Sequence, residues 1–228
     1  MDLYRTDPEF AERFEYFAFR EVVNEETQQL EPTTRYLAIL ATLMGCGGVA
    51  AYKEMLPKAL KNGITPIIAK EIVYQATDYL GYGRMLPFLN ATNEILTAQG
   101  IELPLAGQTT TTFDNRLEKG VQVQAEIFGE HMKEAWKSGH MNRLLAANCF
   151  GDYYTRKGLN LAERELITFC FLMAQGGCEP QLLAHAKGNI HMGNDKELLM
   201  KVVLQCLPYI GYPRSLNAIA CIDKAVEQ

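Results

Sequence analysis

No apolar run in the 228-residue chain reaches the length of a transmembrane helix, about 20 residues. Its opening residues, MDLYRTDPEFAERF, contain no hydrophobic stretch of signal-peptide type. Basic residues are outnumbered, 22 Lys and Arg against 27 Asp and Glu, and the net charge of -5 argues against general binding to nucleic acid or to an anionic membrane. There is no CxxC pair. The six cysteines, at 46, 149, 170, 178, 206 and 221, are scattered through apolar contexts, which predicts free thiols in a reducing, cytoplasmic setting. No segment alternates polar and apolar residues for long, so strands are not expected. GCGG at Gly45–Gly48 lacks the lysine and preceding strand of a phosphate loop, and no serine nucleophile elbow is present. His131, His140 and His191 have no acid or cysteine at ligand spacing, so no metal site is predicted.

What the chain does have is helical punctuation. Asp7-Pro8-Glu9 predicts a helix start, followed by Phe10, Phe14 and Phe17 at helical spacing to about Val23. Further helices are expected over Arg35–Met44, Val49–Lys61, from Thr65-Pro66 to Tyr79, and over Met85–Ala98, with glycines between them. From Gln99 to Phe113 the helical period disappears into a linker containing four threonines. Asp114 is expected to cap the next helix, followed by a short helix over Asn142–Phe150. Later come a helix from Lys196 to Leu207, a turn from Pro208 to Pro213, and a last helix to Val226. The fold class is all-α.

The stretch from Asn160 to Asn194 carries an acid, a thiol and an imidazole: Glu165, Cys178 and His185. An apolar helix over Leu166–Ala174 ends at Gly176-Gly177, and Cys178-Glu179-Pro180 starts another. A helix N-terminus favours a thiolate, which makes Cys178 a candidate nucleophile. His185, seven residues on, leans toward the same face and is a candidate general acid or base. Glu165 among apolar neighbours is suited to proton transfer. Gln181, one turn before His185, is placed to orient it or bind a substrate oxygen. Arg156 and Arg214 are candidates to hold a substrate carboxylate, and Asn217 is a candidate pocket donor.

Shifted by 130 residues, the chain overlays itself without a gap. Gly47 falls on Gly177, Gly63 on Gly193, Gln75 on Gln205, Tyr79-Leu80-Gly81-Tyr82 on Tyr209-Ile210-Gly211-Tyr212, and Arg84 on Arg214. One helical unit is therefore used twice: residues 1–98, the linker 99–113, and residues 114–228. Arg35, Gly48 and Met55 stand opposite Glu165, Cys178 and His185, so the first copy keeps the scaffold and lacks all three reactive groups.

FGDYYTRKGL at Phe150–Leu159, AERELITF at Ala162–Phe169, His185 with Gly193, and YIGYPRSLNA at Tyr209–Ala218 resemble the carboxymuconolactone decarboxylase family, related to the alkyl hydroperoxidase D-like proteins. The resemblance implies cofactor-free chemistry on a small carboxylate or lactone, and a homo-oligomer, here a trimer of two-repeat chains. The peroxidase branch uses a CxxC pair with a histidine four residues after its second cysteine, but this chain has Gln181 at the second position. The decarboxylase branch carries a carboxylate there and no acid at the position of Glu165. The resemblance implies a lyase, with two alternatives: a thiol oxidoreductase using Cys178 with a resolving cysteine such as Cys149 or Cys170 or an external thiol, or a non-catalytic oligomeric ligand-binding scaffold.

Overall fold

Proline starts helices where it costs no hydrogen bond, and this chain uses it three times in the first repeat. Residues 3–227 are described by a computed structural model, and among them there is no strand. After a short turn at Leu3–Thr6, α1 (Pro8–Tyr16) widens to π-helical pitch over Phe17–Glu21. Then follow α2 (Pro32–Gly45), α3 (Val49–Leu60), α4 (Pro66–Leu80) and α5 (Tyr82–Ala98). α6 (Arg116–Phe128) leads into a 3₁₀ stretch at Glu130–Ser138. α7 (His140–Leu144) also widens to π-helical pitch, over Leu145–Tyr154. The second repeat closes with α8 (Leu161–Gln175), α9 (Glu179–His191), α10 (Lys196–Ile210) and α11 (Tyr212–Val226). No helix is long and apolar enough to cross a membrane among the described residues.

The 130-residue shift holds in three dimensions. It carries the ends of α4 onto those of α10, and the widened turn at 17–21 into the widened stretch of α7. The two units are interleaved: α8 packs against α4 of the first repeat, and α2 against α10 of the second. α2 and α8 cross at the centre and are buried for most of their length, as helices apolar on all sides must be. Each fully buried Leu, Ile or Phe there contributes roughly 1.5–3 kcal/mol. Gly45 sets the distance of that crossing, since a Cβ on it would stand 2.6 Å from the Phe171 carbonyl oxygen.

Local signals account for most boundaries. Thr65 Oγ1 accepts from Ile68 N at the start of α4, and Asp195 Oδ1 from Leu198 N at the start of α10. Asn160 and Glu163 form a reciprocal capping box on α8. Asp7 occupies the N-cap position of α1 as expected, its carboxylate taking the Thr6 hydroxyl and not a helix N–H. Two expectations need correction. α6 starts at Arg116, and Asn115, not Asp114, holds the cap position, its Oδ1 accepting from Thr112 N. Pro208 lies inside α10 rather than in a turn, because the helix runs on to Ile210 and breaks only at Gly211, whose φ of 76° suits glycine.

Residues 99–113 are irregular, as expected, yet tied down. Thr110 donates to Thr155 O at 2.7 Å, Thr111 donates to Gly151 O at 2.9 Å, and Thr109 Oγ1 accepts from Arg156. The threonine run thus laces the linker to the segment that ends α7.

Candidate functional site

α8 and α9 form an antiparallel hairpin, and its two levels hold different chemistry. At one level Glu165 Oε2 lies 2.8 Å from His185 Nδ1, with Glu165 fully buried and 11% of the His185 side chain exposed. Asn189, one turn beyond His185, donates to the backbone oxygens of both Glu165 and His185 and locks the two helices together there. At the other level Cys178 occupies the N-cap of α9, as expected. Its thiol donates to Leu172 O at 3.5 Å and accepts from the Gln175 amide at 3.6 Å. Seven residues of helix amount to a rise of about 10 Å, so sharing a face does not bring Cys178 to His185. The expected triplet is a pair, Glu165 with His185, and a separate thiol.

The pair rests on a polar network to which both repeats contribute. Tyr154, at the end of α7, donates to Glu165 Oε1 at 2.8 Å. Its single proton is then used, so its other neighbours must donate to it: Tyr79 Oη at 2.9 Å and Thr168 Oγ1 at 2.8 Å. Gln75 Nε2 donates to Thr168 Oγ1, and the Cys149 thiol donates to Tyr79 Oη. Every proton in the chain thus points toward Glu165. Burial, reinforced by neighbouring acidic groups, holds the Tyr79 and Tyr154 phenols well above their ordinary pKa, so both remain donors. With Oε1 taken by Tyr154 and both carboxylate oxygens accepting, the network assigns the proton of His185 to Nδ1. Nε2 then presents a lone pair, and it has no hydrogen bond among the described residues.

The imidazole is held edge-on between Tyr79 and Phe128, with ring centroids 5.4 Å away in each case. Gly188 lets the carboxylate fit beneath α9, because a Cβ there would stand 2.5 Å from Glu165 Oε2 and 3.0 Å from Phe128. Sequence reasoning missed Tyr79, Tyr154, Thr168 and Gly188 as site residues. Tyr79 and Tyr154 do lie in conspicuous stretches, the repeated YLGY and the FGDYY run.

The four residues expected to bind substrate lie elsewhere. Arg156 is forked onto the buried Glu71 carboxylate, with contacts of 2.8–3.1 Å. Arg164, completely enclosed, reaches the same Glu71 at 3.0 Å and Gln75 Oε1 at 2.8 Å. Arg214 donates to the Ala174 carbonyl at the end of α8, and its repeat counterpart Arg84 donates to Gln175 Oε1. Both guanidinium groups hold backbone and side chains where the expectation had a substrate carboxylate. Gln181 and Asn217 are exposed, on α9 and α11, and Gln181 does not reach His185. A cavity of about 770 Å³ between the linker, α6 and α7 is lined by Lys119, Tyr154 and Arg156, but not by Glu165 or His185.

At the equivalent place in the first repeat, Arg35 donates to Gln205 Oε1 and Ala18 O, and Met55 replaces the imidazole. That copy holds no acid–imidazole pair of its own. It serves the other site through α4, which supplies Gln75 and Tyr79.

An all-helical tandem repeat with one such site defines the class of protein. The carboxymuconolactone decarboxylase family pattern matches residues 8–94 and 140–224, most of the chain, and the protein belongs to that family. It is 27% identical over 112 residues to 4-carboxymuconolactone decarboxylase of Acinetobacter baylyi, an alignment covering 46% of this chain and 83% of that one.

Proposed function

We propose that the chain is a cofactor-free lyase acting on a small carboxylated lactone or related acid, with Glu165 and His185 as its acid–base pair. The observation that carries this reading is the buried 2.8 Å contact that fixes His185 Nδ1 and leaves Nε2 open. In the proposed reaction Nε2 takes up a proton and returns it to the carbon that loses carbon dioxide. The electron pair of the broken bond is held meanwhile in conjugation with the lactone carbonyl. Glu165 balances the imidazolium that forms, and Tyr154 keeps the carboxylate aligned. Family membership and the Acinetobacter relative support the substrate class. The same family supports a homo-oligomer, a trimer of two-repeat chains, whose neighbouring subunit would help to enclose His185.

The test is turnover of 4-carboxymuconolactone by the purified protein, measured as carbon dioxide release, beside His185→Ala and Glu165→Gln. General acid–base catalysis is worth about 10²–10⁴-fold, and a loss of that size is expected from His185→Ala. Undiminished turnover in that variant would remove the reading.

A further inference from the structure

The first repeat has a cavity beside the place where the second holds its acid–imidazole pair. It encloses about 240 Å³ between α1, the widened turn after it, α3 and the end of α10. Phe14, Phe19, Met55 and Tyr209 form its inner wall. Met55 and Tyr209 are the repeat counterparts of His185 and Tyr79, and the nearby Arg35 is the counterpart of Glu165. Exchanging the acid for a guanidinium inverts the charge behind this wall.

That charge has no counter-ion. Arg35 is 7% exposed and donates to Gln205 Oε1 and Ala18 O, with the Phe19 and Tyr36 rings at 5.9 and 5.5 Å. It makes no ion pair among the described residues, whereas the equally enclosed Arg164 has Glu71. Buried charges are as a rule paired. The phenol beside it is also incomplete. Tyr209 Oη is buried, and burial, only partly opposed by the Arg35 guanidinium, pushes it up to about 12. A guanidinium has donors only, so the proton of Tyr209 meets no acceptor among the described residues. In the second repeat Tyr79 gives the corresponding proton to Tyr154.

The wall thus offers one hydrogen-bond donor with a positive charge behind it, set among two aromatic rings and a thioether. An anionic oxygen on an aromatic body answers both features. A cavity of about 150 Å³ is large enough to bind benzene, so this one has room for a single substituted ring. The exposed rim carries both signs. Lys58 Nζ lies 4.4 Å from the centre of the Phe19 ring, Glu15 accepts from the Tyr4 hydroxyl at 2.7 Å, and Glu54 is in solvent. Solvent and salt screen these rim charges far more than they screen the enclosed guanidinium.

We propose that the first repeat retains a binding site of its own, for a small aromatic carboxylate. Tyr209 Oη donates to the carboxylate, Arg35 supplies the opposite charge from behind it, and the ring lies against Phe14, Phe19 and Met55. The site uses neither Glu165 nor His185, so it stands apart from the lyase reading.

The experiment titrates benzoate into full-length protein labelled with carbon-13 at its methionine methyl groups, with Met55→Leu identifying the Met55 resonance. The expected result is a saturable shift of the Met55 methyl with a nuclear Overhauser contact to the benzoate ring, unchanged in His185→Ala. A hydrogen bond to a charged group is worth about tenfold or more in affinity. Tyr209→Phe, which removes an enclosed hydroxyl and keeps the ring, should weaken binding by that factor, and so should replacing benzoate with uncharged benzamide. No shift at Met55, a shift that disappears in His185→Ala, or equal affinity for benzoate and benzamide would overturn the proposal, as would undiminished binding in Tyr209→Phe.

Discussion

Tyr79 Oη lies 2.9 Å from Tyr154 Oη, so a phenol of the first repeat completes the hydrogen bonding around an acid of the second. The two tyrosines are not equivalent, because only Tyr154 touches Glu165. Tyr154→Phe leaves Oε1 enclosed and short of a donor, at a cost of about 1–3 kcal/mol. Tyr79→Phe removes a donor one step back, from a phenol oxygen that still has Thr168, and should cost less. Urea unfolding of both variants tests the order, and a larger loss in Tyr79→Phe would contradict the direction of the proton chain derived above.

Gly188 makes a second prediction. Alanine there improves helix propensity by about 1 kcal/mol, but its Cβ would meet Glu165 Oε2 at 2.5 Å, with Ile127 at 3.1 Å behind it. The carboxylate has to leave His185, so the Nδ1 proton loses its acceptor. The expected result is a net destabilisation of about 1–3 kcal/mol, together with loss of the hydrogen-bonded Nδ1–H resonance of His185 in proton NMR. A variant that gains stability and keeps that resonance would show that the carboxylate is not held as described.

Much of this arrangement is legible in the residues themselves. Glycines and prolines mark most helix ends because each marks a backbone state that other residues avoid. The 130-residue overlay gave the two-unit architecture because equivalent breaks must recur in equivalent folds. Glu165 meets His185, as hairpin geometry suggested. What did not show was anything depending on how the two units pack together. Tyr79, Gln75 and Glu71 sit in the copy that lacks reactive groups, and only the interleaving of α4 with α8 brings them to Glu165 and Arg164. Facing alone was also misleading: Cys178 and His185 share a side of α9, but axial rise separates them. Arg156 and Arg214 looked like ligand-binding groups because sequence gives a charge without its partner.

Glu71 tests the cohesion of the two units. It is 1% exposed and pairs with both Arg156 and the fully enclosed Arg164 from across the repeat boundary. Glu71→Ala would strand a buried guanidinium, which typically costs about 3–5 kcal/mol. Lys53→Ala, which breaks the exposed pair with Glu94, is the control and should leave stability nearly unchanged. Guanidinium-induced unfolding, followed by circular dichroism, compares them. Similar small effects in both variants would mean that the Glu71 cluster does not hold α4 to the segment before α8.

Asp78 gives the molecule a pH dependence whose sign is fixed. Its Oδ2 is buried, and burial, only partly opposed by the neighbouring Cys149 thiol, pushes the carboxyl from its ordinary 3.8 up to about 7. Between these values the unfolded chain has lost a proton that the folded chain retains. Stability therefore falls as pH rises from about 4 to 7, and the cost levels off above that, at up to about 4 kcal/mol. Asp78→Asn carries no titrating group and removes this slope. Its stability relative to the parent protein should grow steadily between pH 4.5 and 7 and then hold constant at pH 8. Urea midpoints at those pH values provide the measurement. A difference that does not change with pH would mean that the carboxylate is already ionised in the folded protein, with a partner or water satisfying Oδ2.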